Sequence, residues 1–149
     1  MNQTKQQQYE AIYEQLIPVM QDQTDAIAKM ATLCCCLYQS MDLFDWVGFY
    51  RMVDGVLKVG PYQGTYGCLE IPLGKGVCGK AALKKTTQIV PDVNAIANHI
   101  ACSKATQSEI VVPWIDKGEL IAVLDIDSNQ LAAFDQSDAD YLTKILQLI

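Results

Sequence analysis

Three cysteines lie in segments rich in glycine, proline and threonine, where proteins often carry functional groups: Cys68, Cys78 and Cys102. The chain's single histidine, His99, stands three residues before Cys102, and Glu109 follows where an apolar strand begins. A thiol, an imidazole and a carboxyl group in one region could support metal binding, acyl transfer or thiol redox chemistry. Residue spacing separates these alternatives.

Three cysteines and one histidine form a known zinc ligand set, but no C-x-x-C pair is present, and this argues against a zinc site. Acyl transfer needs a thiol aligned with a histidine base, and a pair only three residues apart rarely aligns in that way. His99 is therefore interpreted as a surface or loop-packing residue. Thiol redox chemistry needs only an activated thiolate and a second thiol within reach. Two interpretations of the three cysteines therefore remain: redox chemistry, or solitary structural thiols.

A pair of acids in "VLDIDS" (123–128) is the second group that could do chemistry. Alternation along a strand places Asp125 and Asp127 on one face, which is costly to bury unless a cation or protons meet them. The acids therefore either lie on a solvated face or meet a ligand. Trp46 also has two possible roles, as the apolar wall of a pocket or as ordinary core packing. Glu109 could face solvent, or a loop that folds back could bring a thiol close to it.

Hydrophobic periodicity and turn residues predict the elements that must position these side chains. The predicted elements are helices at 4–20 and from Thr24 or Asp25 to about Met41, strands at 44–53, 56–60 and 69–73, a helix at 77–85, a strand at 87–90, strands at 108–116 and 119–128, and a closing helix from about Asp135. These elements predict an α+β domain with a central antiparallel sheet, N- and C-terminal helices on one face and ligand-covering loops on the other. The loops, 61–78 and 91–108, contain all three cysteines of interest.

Composition restricts the function further. The chain has 149 residues, of which half are hydrophobic and 19% charged, so one domain spanning 1–149 is expected. A net charge of −6 argues against nucleic-acid binding. With no apolar membrane span and no leader pattern at the start, we predict a cytoplasmic protein without membrane association or structural disulfides. The consecutive Cys34, Cys35 and Cys36 are predicted to be small core residues of a helix, because adjacent helical side chains diverge.

Six segments together closely resemble the free methionine-(R)-sulfoxide reductase family, single-domain enzymes with a GAF fold. They are "WVGFY" (46–50), "GPYQG" (60–64), "CLEIPLGKGVCG" (68–79), "VPDV" (90–93), "HIACSKATQSEIVVP" (99–113) and "VLDIDS" (123–128). The resemblance covers roughly residues 40–149. It implies a GAF-like fold that agrees with the periodicity.

The resemblance also implies roles for individual residues. Cys102 matches the cysteine that attacks the sulfoxide, and Cys68 and Cys78 match candidate resolving cysteines, of which Cys68 is favoured. Glu109, Asp125 and Asp127 match pocket carboxyls, and Trp46 and Tyr50 match aromatic pocket residues.

The implied activity is reduction of free methionine-(R)-sulfoxide through a sulfenic acid and an intramolecular disulfide. Thioredoxin is the implied reductant, and no metal or organic cofactor is needed. A homodimer is compatible with the family, although the sequence itself carries no interface signal. The alternative is a non-catalytic GAF module that senses a small ligand or redox state.

Overall fold

The computed structural model describes residues 2–97, 99 and 102–149. The helices are α1 (Lys5–Met20), α2 (Ala26–Ser40), α3 (Gly76–Lys84) and α4 (Gln136–Leu146), and the strands are β1 (Trp46–Val53), β2 (Val56–Gln63), β3 (Glu70–Pro72), β4 (Gln88–Val90), β5 (Ser108–Asp116) and β6 (Glu119–Ser128). The strands form one antiparallel sheet in the order β3-β2-β1-β6-β5-β4. The predicted α+β fold with a central antiparallel sheet is confirmed.

Side-chain alternation divides the sheet into two faces with separate apolar clusters. On β1, Val47 and Phe49 pack in the cluster that contains the buried residues of α1, α2 and α4. Trp46 and Tyr50 of the same strand belong to the second cluster, with α3. The terminal helices therefore cover one face, and the other face is left to α3 and the loops.

Two tight turns set the register of the long strand pairs. Asp54 and Gly55 connect β1 to β2 with φ values of 51° and 78°. Lys117 and Gly118 connect β5 to β6 with φ values of 50° and 82°. Two successive residues with positive φ form the turn that matches the twist of a hairpin, and glycine favours its second position.

β2 is longer than predicted, because it continues through Pro61 to Gln63. Gly48 pairs with Tyr62 while Tyr50 pairs with Val59, so β2 carries one extra residue opposite Phe49. A bulge tolerates proline because it leaves a residue outside the regular hydrogen-bond ladder. Pro61, which predicted a loop, therefore marks a bulge inside a strand.

The three consecutive cysteines of α2 have different environments. Cys34 is buried in the core, with its Sγ 3.4 Å from the carbonyl oxygen of Pro61. Cys35 and Cys36 are only partly buried. The prediction of three core residues was therefore wrong for two of them, because adjacent positions on a helix point away from one another. Among the described helices, none is long and apolar enough to cross a membrane.

Buried polar contacts fix α1 against α4. The Asp138 carboxylate, fully buried, accepts hydrogen bonds from Tyr9 Oη at 2.6 Å and Lys5 Nζ at 2.7 Å. Asp138 also completes a capping box with Asp135 at the start of α4. The first helix is thereby anchored to the last one, far from the loops on the other face.

Candidate active site

Three acids meet on the loop-covered face because of the strand register. Glu109 of β5 pairs with Asp127 of β6, and Asp127 pairs with Trp46 of β1. Asp125 lies two residues before Asp127 and shares its face. All four side chains, with Tyr50, line one pocket between the sheet, the start of α3 and the segment around Cys102.

An aromatic wall forms one side of the pocket. Trp46 stacks on Tyr50 with ring centroids 5.9 Å apart and on Tyr62 at 5.2 Å. Its indole Nε1 donates a hydrogen bond of 2.8 Å to the carbonyl oxygen of Thr65. Trp46 is only 6% exposed, so it serves as core packing and as pocket wall, the two roles that the sequence left open.

Glycines make room for the Trp46 ring. A Cβ on Gly48 would lie 2.4 Å from the ring's Cη2 atom, and one on Gly67 would lie 2.8 Å from Cζ2. Contacts this short require the ring or the backbone to move. Glycine at these two positions therefore determines where the aromatic wall stands.

The acids are buried rather than solvated. Glu109 and Asp125 are each 5% exposed, and within the described part of the chain the Oδ1 atoms of Asp125 and Asp127 are buried without a hydrogen-bond partner. Burial, and then the charge of Asp127, raises the pKa of Glu109 to about 8. Burial also raises the pKa of Asp125, and the negative charge of Glu109 raises it further. The pKa of Asp127 is raised by burial first and then by the negative charge of Asp125. The pocket therefore favours protonated carboxyls near neutral pH.

Glu109 has a partner on each side. His99 Nε2 lies 3.2 Å from its Oε2 atom, and Cys78 Sγ lies 3.9 Å from its Oε1 atom. Burial lowers the pKa of His99, opposed by the charge of Asp125, which favours neutral imidazole. Burial, and then Asp125, raises the pKa of the Cys78 thiol. Cys78 lies on α3, is 3% exposed and lines the pocket, so its thiol keeps its proton near neutral pH.

A disulfide joins Cys68 to Cys102 at the mouth of the pocket, with Cα atoms 5.7 Å apart. The sequence predicted no permanent structural disulfides. This disulfide differs from such a cross-link because it lies at the site itself, with Cys102 exposed and Cys68 partly buried. The cavity behind it has a volume of about 30 Å³, room for one or two waters. With the disulfide closed, Cys102 remains part of the pocket lining.

Comparison with known proteins identifies the family. A profile described as "GAF domain" matches residues 24–149. The chain is 40% identical to the free methionine-R-sulfoxide reductase of Saccharomyces cerevisiae over 94% of this chain and 84% of that protein, and 38% identical to that of Escherichia coli over 86% and 78%. A solved structure of the Neisseria meningitidis free methionine-R-sulfoxide reductase with its substrate superposes with a TM-score of 0.94, at 41% identity over 99% of this chain and 89% of that one. The chain belongs to the free methionine-R-sulfoxide reductase family of GAF domains.

The site of this reductase family member contains all of the residues predicted from sequence. Seven line the pocket, namely Trp46, Tyr50, Cys78, Cys102, Glu109, Asp125 and Asp127, and Cys68 reaches it through the disulfide. The alternatives of a solvated face for the two aspartates and of an outward-facing Glu109 are ruled out by burial.

The structure decides between the two roles left open for His99. Its side chain is 12% exposed, lines the pocket and contacts Glu109, so it is a loop-packing residue and not a surface residue. Its contact with Glu109 was not predicted. Nothing in the spacing of His99 and Cys102 indicates this, because the partner of the imidazole lies on β5, ten residues later. Thr65 is a second pocket residue that the sequence did not reveal, because it contacts Trp46 through its backbone.

Proposed function

We propose that the protein reduces free methionine-(R)-sulfoxide to methionine, with Cys102 as the attacking thiol. The observation that carries this proposal is the Cys68–Cys102 disulfide at the mouth of a pocket with two buried carboxyls, one partly buried carboxyl and an aromatic wall. Two thiols already joined at that position are what the oxidised product of such a reaction would contain. Membership of the reductase family supports the same substrate.

The first step transfers the sulfoxide oxygen to the enzyme. The Cys102 thiolate attacks the sulfoxide sulfur, the oxygen moves to Cys102, and methionine leaves with its sulfur reduced. Cys102 is thereby oxidised to a sulfenic acid. A protonated Glu109 or Asp127 can hydrogen-bond the sulfoxide oxygen and supply the proton that it needs, because burial keeps both carboxyls neutral.

The second step closes the disulfide. The Cys68 thiol attacks the Cys102 sulfenic sulfur, a sulfur–sulfur bond forms, and the hydroxyl leaves as water. A dithiol reductant of the thioredoxin class then reduces the disulfide and is itself oxidised. Such a reductant belongs to a reducing compartment, so we propose that the protein is cytoplasmic.

Substrate recognition follows from the same carboxyls. The ammonium group of a free amino acid supplies a counter-charge that would favour ionised Asp125, and the S-methyl group can pack on Trp46. A methionine within a polypeptide lacks that ammonium group and is too bulky for a pocket under two loops. We therefore propose that the substrate is the free amino acid, and family membership supports the R configuration at its sulfoxide sulfur.

The alternative is a GAF module that binds a small ligand or reports redox state without catalysis, since a reducible disulfide beside a closed pocket would also suit a sensor. Incubation of the reduced protein with free methionine sulfoxide and a dithiol separates the two functions. Catalysis predicts many methionines per protein molecule. A sensor predicts none, and that result would refute the proposed activity. Sedimentation of the same sample tests whether the chain is the homodimer compatible with its family.

A further inference from the structure

One buried group is left without a task in the proposed reaction. Cys78 is 3% exposed and lies behind the disulfide, while Cys68 already provides the second thiol. Its Sγ atom and one carboxyl oxygen each of Glu109 and Asp125 lie within 4.8 Å of one another. The thiol and two carboxyls come from α3, β5 and β6, three elements packed against each other.

An independent observation points to a ligand at this cluster. Asp125 is 5% exposed and lines the pocket, and its Oδ1 atom has no hydrogen-bond partner among the residues that the structure describes. A buried carboxyl oxygen without a partner is costly, and a cation would satisfy it. The cavity of about 30 Å³ has room for an ion and a water.

We propose that, in the form with the Cys68–Cys102 disulfide closed, this pocket binds one Zn²⁺ ion through Cys78 Sγ and the carboxylates of Glu109 and Asp125. A fourth position is left for water. Thiolate and carboxylate are both zinc ligands, and three protein ligands with one open position is a common zinc arrangement.

The distance between Cys78 and Glu109 fits this assignment, and the Asp125 oxygen lies within 4.8 Å of both ligand atoms. Tetrahedral zinc bonded to sulfur and oxygen at usual lengths separates those two atoms by about 3.6 Å. Cys78 Sγ and Glu109 Oε1 are 3.9 Å apart, so only a small contraction is needed. His99 holds the other oxygen of Glu109 at 3.2 Å, which is the kind of outer contact that orients a metal-bound carboxylate.

This donor set differs from the one that the sequence argued against. Three cysteines and a histidine formed that earlier set, and their spacing does not suit zinc. The proposed site uses a single cysteine and two carboxyls that the strand register brings together. It does not depend on the proposed reductase activity, because it is measured on the oxidised protein without methionine sulfoxide.

The test uses the full chain carrying Cys35→Ala and Cys36→Ala, which removes the two partly exposed thiols of α2, with the disulfide closed. Zn²⁺ is titrated by calorimetry, and Co²⁺ is added in a parallel sample to detect thiolate coordination by its charge-transfer absorbance. We expect one ion per chain, with proton release because the Cys78 thiol must ionise, and a thiolate-to-cobalt band.

Variants assign the ligands. Cys78→Ser should remove the cobalt band, and both Cys78→Ser and Asp125→Asn should weaken zinc binding at least tenfold. Asp116→Asn, an exposed acid at the far end of β5, should change neither. His99→Gln should weaken binding by about 10- to 100-fold, as expected for an outer contact.

Zinc binding of unchanged affinity in Cys78→Ser, or no zinc binding to the parent protein, would overturn the proposal. So would a cobalt complex without thiolate absorbance, a result that remains decisive even if a variant fails to fold.

Discussion

At the scale of single residues, the proposed chemistry depends on Cys102. Cys102→Ser should abolish methionine formation with little effect on folding, because a hydroxyl has nearly the same size as a thiol but is a far weaker nucleophile. Methionine released in a single turnover by the reduced variant measures this. Cys36→Ala is the matched control and should retain full turnover. Methionine formation by Cys102→Ser would contradict the assignment.

Cys68 and Cys78 should behave differently. Cys68 is bonded to Cys102, whereas Cys78 is a buried thiol with a raised pKa. Cys68→Ser should therefore release about one methionine per site and then stall with thioredoxin, because the first methionine leaves before a disulfide must form. Counting methionine against active sites checks this. Sustained thioredoxin-supported turnover in Cys68→Ser, with a stall in Cys78→Ser, would reverse the two roles.

Two of the pocket carboxyls should have different roles, Asp125 in substrate binding and Glu109 in catalysis. Asp125→Asn should raise KM more than it lowers kcat, if Asp125 pairs with the ammonium group, and Glu109→Gln should do the reverse. Because the pKa of Glu109 is about 8, kcat/KM of the wild-type enzyme should fall as pH rises through that value, when the carboxyl loses its proton. Steady-state kinetics between pH 6 and pH 9.5 test this, and an alkaline decline that persists unchanged in Glu109→Gln would assign it to another group.

The residues of this site could be predicted from sequence where a motif or the alternation of side chains along a strand indicates them. Asp125 and Asp127 share a face because strands alternate, and the family resemblance marks the cysteines. The contact between His99 and Glu109 could not be predicted, since it depends on how an irregular segment folds over β5. Burial of the acids was also undecided, because a solvated face gives the same alternation.

At the scale of elements, Gly48 in β1 sets the position of the aromatic wall. In Gly48→Ala the new Cβ would meet the Trp46 ring at 2.4 Å and Tyr62 Cβ at 2.5 Å. We expect a loss of about 1–3 kcal/mol in the free energy of unfolding, as for other overpacked cores, and a raised KM from displacement of the indole. Chemical denaturation and kinetics measure the two effects.

Gly60→Ala in β2 is the control for that substitution. The three atoms nearest to its Cβ would all belong to the flexible Arg51 side chain, at 3.2–3.3 Å, which can move aside. Equal losses in the two variants would show that glycine matters for the strand backbone rather than for the indole.

The hairpins were predictable from the "DG" and "KG" turns, because positive φ at two successive residues restricts the choice of sequence. The extension of β2 was not. Proline argues against a strand on average, and only the register beside Phe49 reveals that Pro61 lies in a bulge.

At the scale of the whole molecule, the buried acids should make stability depend on pH. Glu109 has an ordinary pKa of 4.5 and a folded pKa of about 8. Below pH 4.5 the carboxyl is protonated in both states, so it imposes no penalty. Between these values the unfolded chain loses the proton and the folded protein keeps it, so stability falls with rising pH by at most about 1.4 kcal/mol per pH unit for this group.

Urea denaturation of the oxidised protein at pH 5 and pH 8 measures this dependence. Glu109→Gln should make the decline shallower, with Asp125 and Asp127 responsible for the remainder because their pKa values are raised as well. Glu119→Gln, which removes an exposed carboxyl at the start of β6, should leave the decline unchanged. An identical decline in wild type and Glu109→Gln would show that Glu109 is not the group responsible.

The overall architecture was predictable because each level of the sequence agrees with it: helical periods at the ends, strand periods between them and turn residues at the hairpins. The interlocking of α1 with α4 through Asp138 was not, since the partners are more than 120 residues apart in the chain. Long-range polar contacts of this kind leave no local pattern.

The position of the disulfide also shows that folding holds the sulfur atoms of Cys68 and Cys102 close together. The two cysteines are 34 residues apart in the sequence. In the unfolded chain, bringing them together costs about 3.8 kcal/mol in conformational entropy. In the folded protein the two cysteines are already held together, so forming the disulfide does not incur this cost. By linkage, folding raises the effective concentration of the Cys68 thiol at Cys102 by about 500-fold. In the proposed reaction, a sulfenic acid on Cys102 would therefore be captured by Cys68 before a second oxidant could convert it to the irreversible sulfinic acid.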